Sequence, residues 1–205
     1  MLGQRGRGFT TAVFGPVAKR FVAWGISPNT VTIVGTAAVV IAAFSLLATG
    51  HFIAGSLGVG LIVFTDSIDG QMARLAGTSS AFGAFLDSTL DRIADAAIFL
   101  ALAIHLWHRD GLWSAWAMWA AVAALPVGAI VSYARARAEA ANFQAAVGIA
   151  ERSDRLLIAL AATLLVGLGL PMWVLAGALS YLVFAGLVTI TQRIVTVFRQ
   201  AREMA

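Results

Sequence analysis

The chain has 205 residues, 60% of them hydrophobic and only 12% charged, with a net charge of +4 and no cysteine. This composition excludes an ordinary soluble domain and describes a polytopic membrane protein, with room for roughly six spans at ~20 residues each. The missing cysteines exclude disulfides, thiolate zinc sites and cysteine nucleophiles.

Residues 1–8 carry Arg5 and Arg7 and read as a basic arm. No cleavable signal peptide is expected, because the first apolar stretch, Phe9 to Val22, is broken by Gly15-Pro16 and then carries Lys19-Arg20. From Pro16 to Trp24, Val17, Phe21 and Trp24 share one side and Lys19-Arg20 the other. That pattern fits a helix lying in the membrane interface, and equally an ordinary packing helix. Ser27-Pro28-Asn29 is a helix start. Span one then runs from about Thr30 to Ala48, span two from Phe52 to Leu75, and span three from Phe82 to Trp107. Span four covers Leu112 to Ala138 and contains Pro126, and residues 139–151 form the longest polar connection. Span five covers Leu156 to Leu170, span six Met172 to Val197, and a basic tail closes the chain. The expected fold is therefore all-α in one membrane domain: residues 1–26 as arm and interfacial helix, 27–198 as a six-helix bundle, and 199–205 as the tail.

Charge sets the orientation. With six spans, Arg5, Arg7, Lys19, Arg20, Arg74, Arg92, Arg135, Arg137, Arg152, Arg155, Arg193, Arg199 and Arg202 fall on one side, and Arg109 alone on the other. The positive-inside rule then places both termini in the cytoplasm of a plasma-membrane protein, which explains the basic balance without nucleic acid. Trp107, Trp113, Trp116, Trp119 and Trp173 gather at the far face as an aromatic belt. His51, His105 and His108 fall there too and read as interfacial surface residues. Gly55, Gly58, Gly60, Gly167 and Gly169 read as close-packing positions.

Only ten residues are acidic, and Asp66, Asp69, Asp87 and Asp91 lie within one short stretch on the cytoplasmic side. Asp66 and Asp69 are three apart, with Ala73 four beyond; Asp87 and Asp91 are four apart, with Gly83 one turn earlier. On two antiparallel helices these spacings present all four carboxylates to one another. Such carboxylates would repel unless neutralised, and a pair of hard divalent cations, Mg²⁺ or Mn²⁺, suits their oxygens. Gly70, Ala73 and Gly83 are small enough to let a substrate approach the helices. A two-metal carboxylate site points to phosphoryl chemistry, with Arg74 as a phosphate clamp. Asp95 continues the stripe and reads as a partner for Arg92 or another polar group rather than as a ligand.

These residues resemble the signature of the CDP-alcohol phosphotransferases, D-x2-D-G-x2-A-R-x8-G-x3-D-x3-D, matched here by Asp66, Asp69, Gly70, Ala73, Arg74, Gly83, Asp87 and Asp91 without departure. The resemblance implies a six-span homodimeric membrane enzyme that transfers a phosphatidyl group from CDP-diacylglycerol to an alcohol and releases CMP. It further implies that Asp66, Asp69, Asp87 and Asp91 bind the two metals and that Asp91 is also the general base. Asn29, Thr30, Val31, Thr32, Asp66, Asp69, Gly70, Ala73, Arg74, Ser80 and Asp87 would contact CDP-diacylglycerol.

The acceptor is read from the remaining cytoplasmic polar residues: Ser132 to Glu139, Glu151 to Arg155, and Gln192-Arg193. Arginines from three helix ends suit an acceptor that carries its own phosphate, through Ser132, Arg135, Arg155 and Arg193. The segments resemble the actinobacterial branch of the family whose acceptor is inositol phosphate, except that Arg135 stands where lysine is expected. Two alternatives stay open. One is a phosphatidylglycerophosphate synthase using glycerol 3-phosphate. The other is a transporter with intramembrane carboxylates, which would spread its charges across the bilayer midplane. The arginines also fit topology determinants or lipid headgroup contacts, and the Ser132 hydroxyl fits a bond to its own helix.

Overall fold

Caps decide where each helix starts. The computed structural model describes residues 15–16, 19–65, 72 and 80–204, and every long element among them is a helix. Ser27 opens α1 (Pro28–Ala42), its Oγ accepting from the Thr30 N–H at 3.1 Å with Pro28 in the first turn. α1 continues as a π-helical turn, Ala43–Leu47, before the chain reverses into α2 (Phe52–Thr65). Ser80 opens α3 (Ala81–Trp107) by accepting from the Gly83 N–H at 3.0 Å. α4 (Leu112–Ala140) runs through Pro126 without a break. It closes at Asn142, whose φ of 63° lets the Phe143 N–H return to the Ala138 carbonyl at 2.9 Å. α5 (Arg152–Gly167) starts ahead of the expected Leu156, because the Asp154 carboxylate accepts from the Glu151 N–H at 3.3 Å and fixes the helix start there. α6 (Trp173–Glu203) runs past the expected end at Val197, where no glycine or proline stops it.

The helices close into a ring. α1 packs on α2 and α3, α3 on α4, α4 on α6, α6 on α5, and α5 back on α2. Stripes at helical spacing fill the interior, among them Ile98, Leu102 and Leu106 of α3 and Leu175, Leu179 and Leu182 of α6, all fully buried. This core lies towards one end of the bundle, and the charged ends of α3, α4, α5 and α6 lie at the other. Pro28–Leu47, α4 and α6 are each long and apolar enough to cross a membrane, and α2 is apolar over its shorter described length.

α4 and α6 are in close contact at Gly186, where a Cβ would overlap Cγ1 of Val127. Gly186→Val is expected to cost about 1–3 kcal/mol through overpacking, read as a lower melting temperature in detergent. An unchanged melting temperature would mean that the two helices have slack there. Gly55 and Gly167 are close-packing positions as expected, whereas Gly58 and Gly60 make ordinary contacts and Gly169 (φ 106°) serves a turn.

One expectation is corrected at the far end. His51 and His108 are exposed, but His105 is half-buried, its ring set edge-on to Phe52 at 4.9 Å between centroids. Gly50, with φ 86°, lies so close that a Cβ there would overlap the His105 ring. His105 therefore seals the α1–α2 turn instead of facing the interface.

Candidate active site

Within residues 66–79 the structure describes one side chain, and it packs beside the start of α1. Met72 is fully buried against Phe21, Val22, Ile26 and Val31. Residues 19–23 are helical, and Gly25 (φ 74°) ends that turn, with the Ile26 N–H bonding the Phe21 carbonyl at 3.1 Å. The basic pair Lys19-Arg20 is exposed, as the amphipathic reading expects, whereas Phe21 and Val22 pack on Met72. Asp66, Asp69, Gly70, Ala73 and Arg74 lie outside the described residues, as do Arg5, Arg7 and Val17.

Near Met72, the described residues at the starts of α1 and α3 that are expected to hold CDP-diacylglycerol lie close to one another. A Cβ on Gly83 would crowd Asn29 Oδ1 at 3.3 Å and Ser80 Oγ at 3.2 Å, so the starts of α1 and α3 meet at this glycine. Thr30 Oγ1 is 2.8 Å from Ser27 Oγ, and the buried Thr32 hydroxyl donates to the Pro28 carbonyl at 3.1 Å. Val31 packs towards Met72.

Asp87 and Asp91 are one turn apart on α3, half-buried, and both line a cavity of about 1200 Å³ bounded by α2, α3, α4, α5 and α6. Its polar end carries Arg135 from α4, Arg152 and Arg155 from α5, and Arg193 from α6; its apolar end carries Val63, Phe64, Leu160, Ala161 and Leu164. Ser132, Arg135, Arg155 and Arg193, singled out in the sequence as acceptor residues, all line this one space, and Arg137 does not.

Their present partners differ. Arg135 is exposed and pairs with Glu139 at 2.8 Å, one turn along α4. The Ser132 hydroxyl donates to the Gly128 carbonyl at 3.2 Å. Arg193 is buried and fastens the α4–α5 connection, donating from Nε to the Val147 carbonyl at 2.9 Å and from Nη1 to the Val131 carbonyl. Thr189, one turn earlier on α6, accepts from the Ile149 and Ala150 N–H groups at 3.2 Å each. Gln200 bonds both backbone groups of Gln144, at 2.9 and 2.6 Å.

Sequence reasoning gave Asp95 a polar partner but did not identify Arg152 as the link from Asp95 to Asp91. Arg152 Nη1 lies 2.7 Å from Asp91 Oδ1, and its Nε lies 3.0 Å from Asp95 Oδ1. Arg155 Nη2 lies 3.2 Å from Asp95 Oδ2, and Arg92 Nη2 lies 3.4 Å from Asp91 Oδ2. Asp95 thus pairs with arginines 57 and 60 residues away, not with Arg92. Its place one turn beyond Asp91 was the available signal.

A family model for CDP-alcohol phosphatidyltransferases matches residues 25–191. The chain belongs to the CDP-alcohol phosphatidyltransferase family. It is 42% identical to a phosphatidylinositol phosphate synthase of Streptomyces avermitilis, over 99% of this chain and 85% of that one. The corresponding synthase of Cutibacterium acnes is 41% identical over 91% of this chain and 93% of its own length. Among solved structures, the phosphatidylinositol phosphate synthase of Mycobacterium tuberculosis in complex with manganese and citrate aligns with a TM-score of 0.83 at 34% identity, over 89% of this chain and 88% of that one. The same enzyme with CDP-diacylglycerol bound also aligns at 0.83, over 91% and 94%. As a member of this family with apolar helices of spanning length, the chain is an integral membrane protein.

The family implies divalent cations. The donor set fits: Asp87 and Asp91 offer hard oxygens from one helix face to one cavity, and the Arg152 guanidinium at Asp91 shows that this carboxylate takes a positive partner. No group of three candidate ligands occurs among the described residues, and the expected ligands Asp66 and Asp69 lie outside them.

Proposed function

We propose that this CDP-alcohol phosphatidyltransferase transfers a phosphatidyl group from CDP-diacylglycerol to inositol 3-phosphate, giving phosphatidylinositol phosphate and CMP. The observation that carries the reading is the single cavity in which Asp87 and Asp91 face arginines from α4, α5 and α6. Its apolar end suits a lipid, and its arginines suit an acceptor with its own phosphate. An unphosphorylated alcohol would leave those arginines without a ligand. The naming of the curated relatives supports the same acceptor.

In this reading Asp66, Asp69, Asp87 and Asp91 hold two divalent cations, Mg²⁺ or Mn²⁺. Bound there, the cations supply charge stabilisation to the pyrophosphate. Asn29, Thr30, Val31, Thr32, Gly70, Ala73, Arg74 and Ser80 bind the cytidine diphosphate end. Ser132, Arg135, Arg155 and Arg193 orient the acceptor phosphate. Asp91 takes the proton of the acceptor hydroxyl. The oxygen so released attacks the phosphorus nearer the diacylglycerol, the bond to the bridging oxygen breaks, and CMP departs with the electron pair. The working unit is one domain over residues 1–205, with all six helices crossing the plasma membrane, both termini and the site in the cytoplasm, and two chains forming a homodimer. The distribution of arginines supports that orientation.

The test is CMP release by purified protein with CDP-diacylglycerol, Mg²⁺ or Mn²⁺, and one acceptor at a time. Turnover with inositol 3-phosphate and none with free inositol is expected. Turnover with glycerol 3-phosphate alone would keep the base and the metal residues and replace the acceptor.

A further inference from the structure

Asp95 stands outside the eight-position signature, yet among the described residues it is the only buried carboxylate. A buried charge in a membrane helix is costly unless it is paired and fully hydrogen-bonded. Here the two oxygens are divided: Oδ1 accepts from Arg152 Nε at 3.0 Å and Oδ2 from Arg155 Nη2 at 3.2 Å. Both arginines sit in the first turn of α5, where the helix dipole disfavours cations. A sequence seeking only a stable helix would not place them there.

Each arginine also reaches into the proposed reaction site. Arg152 spans from Asp95 to Asp91, with Nη1 2.7 Å from the carboxylate proposed as base. Arg155 is 3% exposed and lies flat against α4, where a Cβ on Gly128 would stand 3.4 to 3.6 Å from Nε, Cζ and Nη2. Its Nη1 donates to the Ala150 carbonyl at 3.3 Å, and its side chain lines the cavity.

We infer that Asp95 is a positioning residue: one oxygen holds Arg152 against Asp91, the other aims Arg155 at the acceptor phosphate, and a single carboxylate thereby sets the distance between base and acceptor. The inference rests on the function proposed above. Long cationic side chains have many accessible rotamers, so arginines without this carboxylate would sample several positions. A misplacement of about 1 Å at a reacting centre costs on the order of 10²-fold in rate. A carboxylate that served only to balance buried charge would act equally well from a slightly different position.

The experiment compares wild type with Asp95→Asn and Asp95→Glu at saturating CDP-diacylglycerol, varying inositol 3-phosphate. Asparagine keeps the shape but offers one acceptor oxygen, so one arginine is released. Glutamate keeps the charge but moves it by about one bond. Both variants are expected to raise the acceptor KM by roughly 10- to 100-fold with the KM for CDP-diacylglycerol unchanged. In an Arg155→Ala background, Asp95→Asn should raise the acceptor KM no further, because the side chain it aims is gone, while kcat still falls through the loosened Arg152 beside Asp91. Binding of inorganic phosphate, measured by calorimetry on the purified protein, supplies a readout that needs no turnover and should weaken by about 10-fold in either single variant. Restoration of wild-type values by Asp95→Glu, or multiplicative effects on the acceptor KM in the double variant, would overturn the positioning role and leave a buried counterion. Unchanged acceptor KM and phosphate binding in a well-folded Asp95→Asn would do the same. Weakened phosphate binding in a protein that releases CMP with no phosphorylated acceptor would overturn the proposed function and keep Asp95 as the holder of Arg155.

Discussion

Asp91→Asn is expected to lower CMP release by about 10³-fold or more, the range general-base removal occupies, while CDP-diacylglycerol continues to bind in the presence of metal. Asparagine has nearly the same shape, and its oxygen still accepts from Arg152, so the ring of helices has no reason to open. What disappears is the proton acceptor and the negative charge that Arg152 and Arg92 now flank at 2.7 and 3.4 Å. Because the deficit concerns the reacting step, kcat should fall with little change in either KM. Activity near wild type would remove Asp91 as the base.

Stripping divalent cations should have an effect of similar size. Chelation is expected to bring CMP release to background, and added Mg²⁺ or Mn²⁺ to restore it. A second readout avoids turnover altogether: Mn²⁺ binding followed by electron paramagnetic resonance should weaken sharply in Asp87→Asn. Asp87 shares the face and the cavity of Asp91 but makes neither of the ion pairs of that residue to Arg92 or Arg152. Its replacement therefore reports on metal without disturbing the arginine network. Full activity in excess chelator would refute the metal requirement, and undiminished Mn²⁺ binding in Asp87→Asn would remove that residue from the ligand set.

Much of the helical layout is legible in the sequence because local chemistry decides it. Ser27 with Pro28, and Ser80 with Gly83, are caps that act within three residues, and α3 and α4 start within a residue of where apolar periodicity begins. The start of α5 was harder to read, since Glu151 and Asp154 look like part of a charged loop until their reciprocal cap is recognised. The π-helical turn at Ala43–Leu47 has no local signal of that kind. In the site, the four-residue spacing of Asp87 and Asp91 makes their shared cavity readable. The partners of Asp95 are not readable, because closure of the helix ring brings the start of α5 opposite α3, where Arg152 and Arg155 reach across to Asp95. Arg193 shows the same limit. Its charge suggests a phosphate ligand, whereas its burial and its bonds to the Val147 and Val131 carbonyls depend on how the α4–α5 connection lies over α6. The sealing of the α1–α2 turn by His105 likewise follows from tertiary contact with Gly50 and Phe52.

The continuity of the cavity has a consequence for inhibition. Its arginines and its leucines line one space, with Asp91 beside Arg152. A single compound carrying a phosphate at one terminus and an alkyl chain at the other would engage both recognition surfaces at once. Joining the two fragments makes the second contact intramolecular and can raise affinity by roughly 10²- to 10⁴-fold without any new interaction. Such a bisubstrate ligand would compete with both natural substrates, and its optimal linker length would measure the spacing between lipid and acceptor along the chamber.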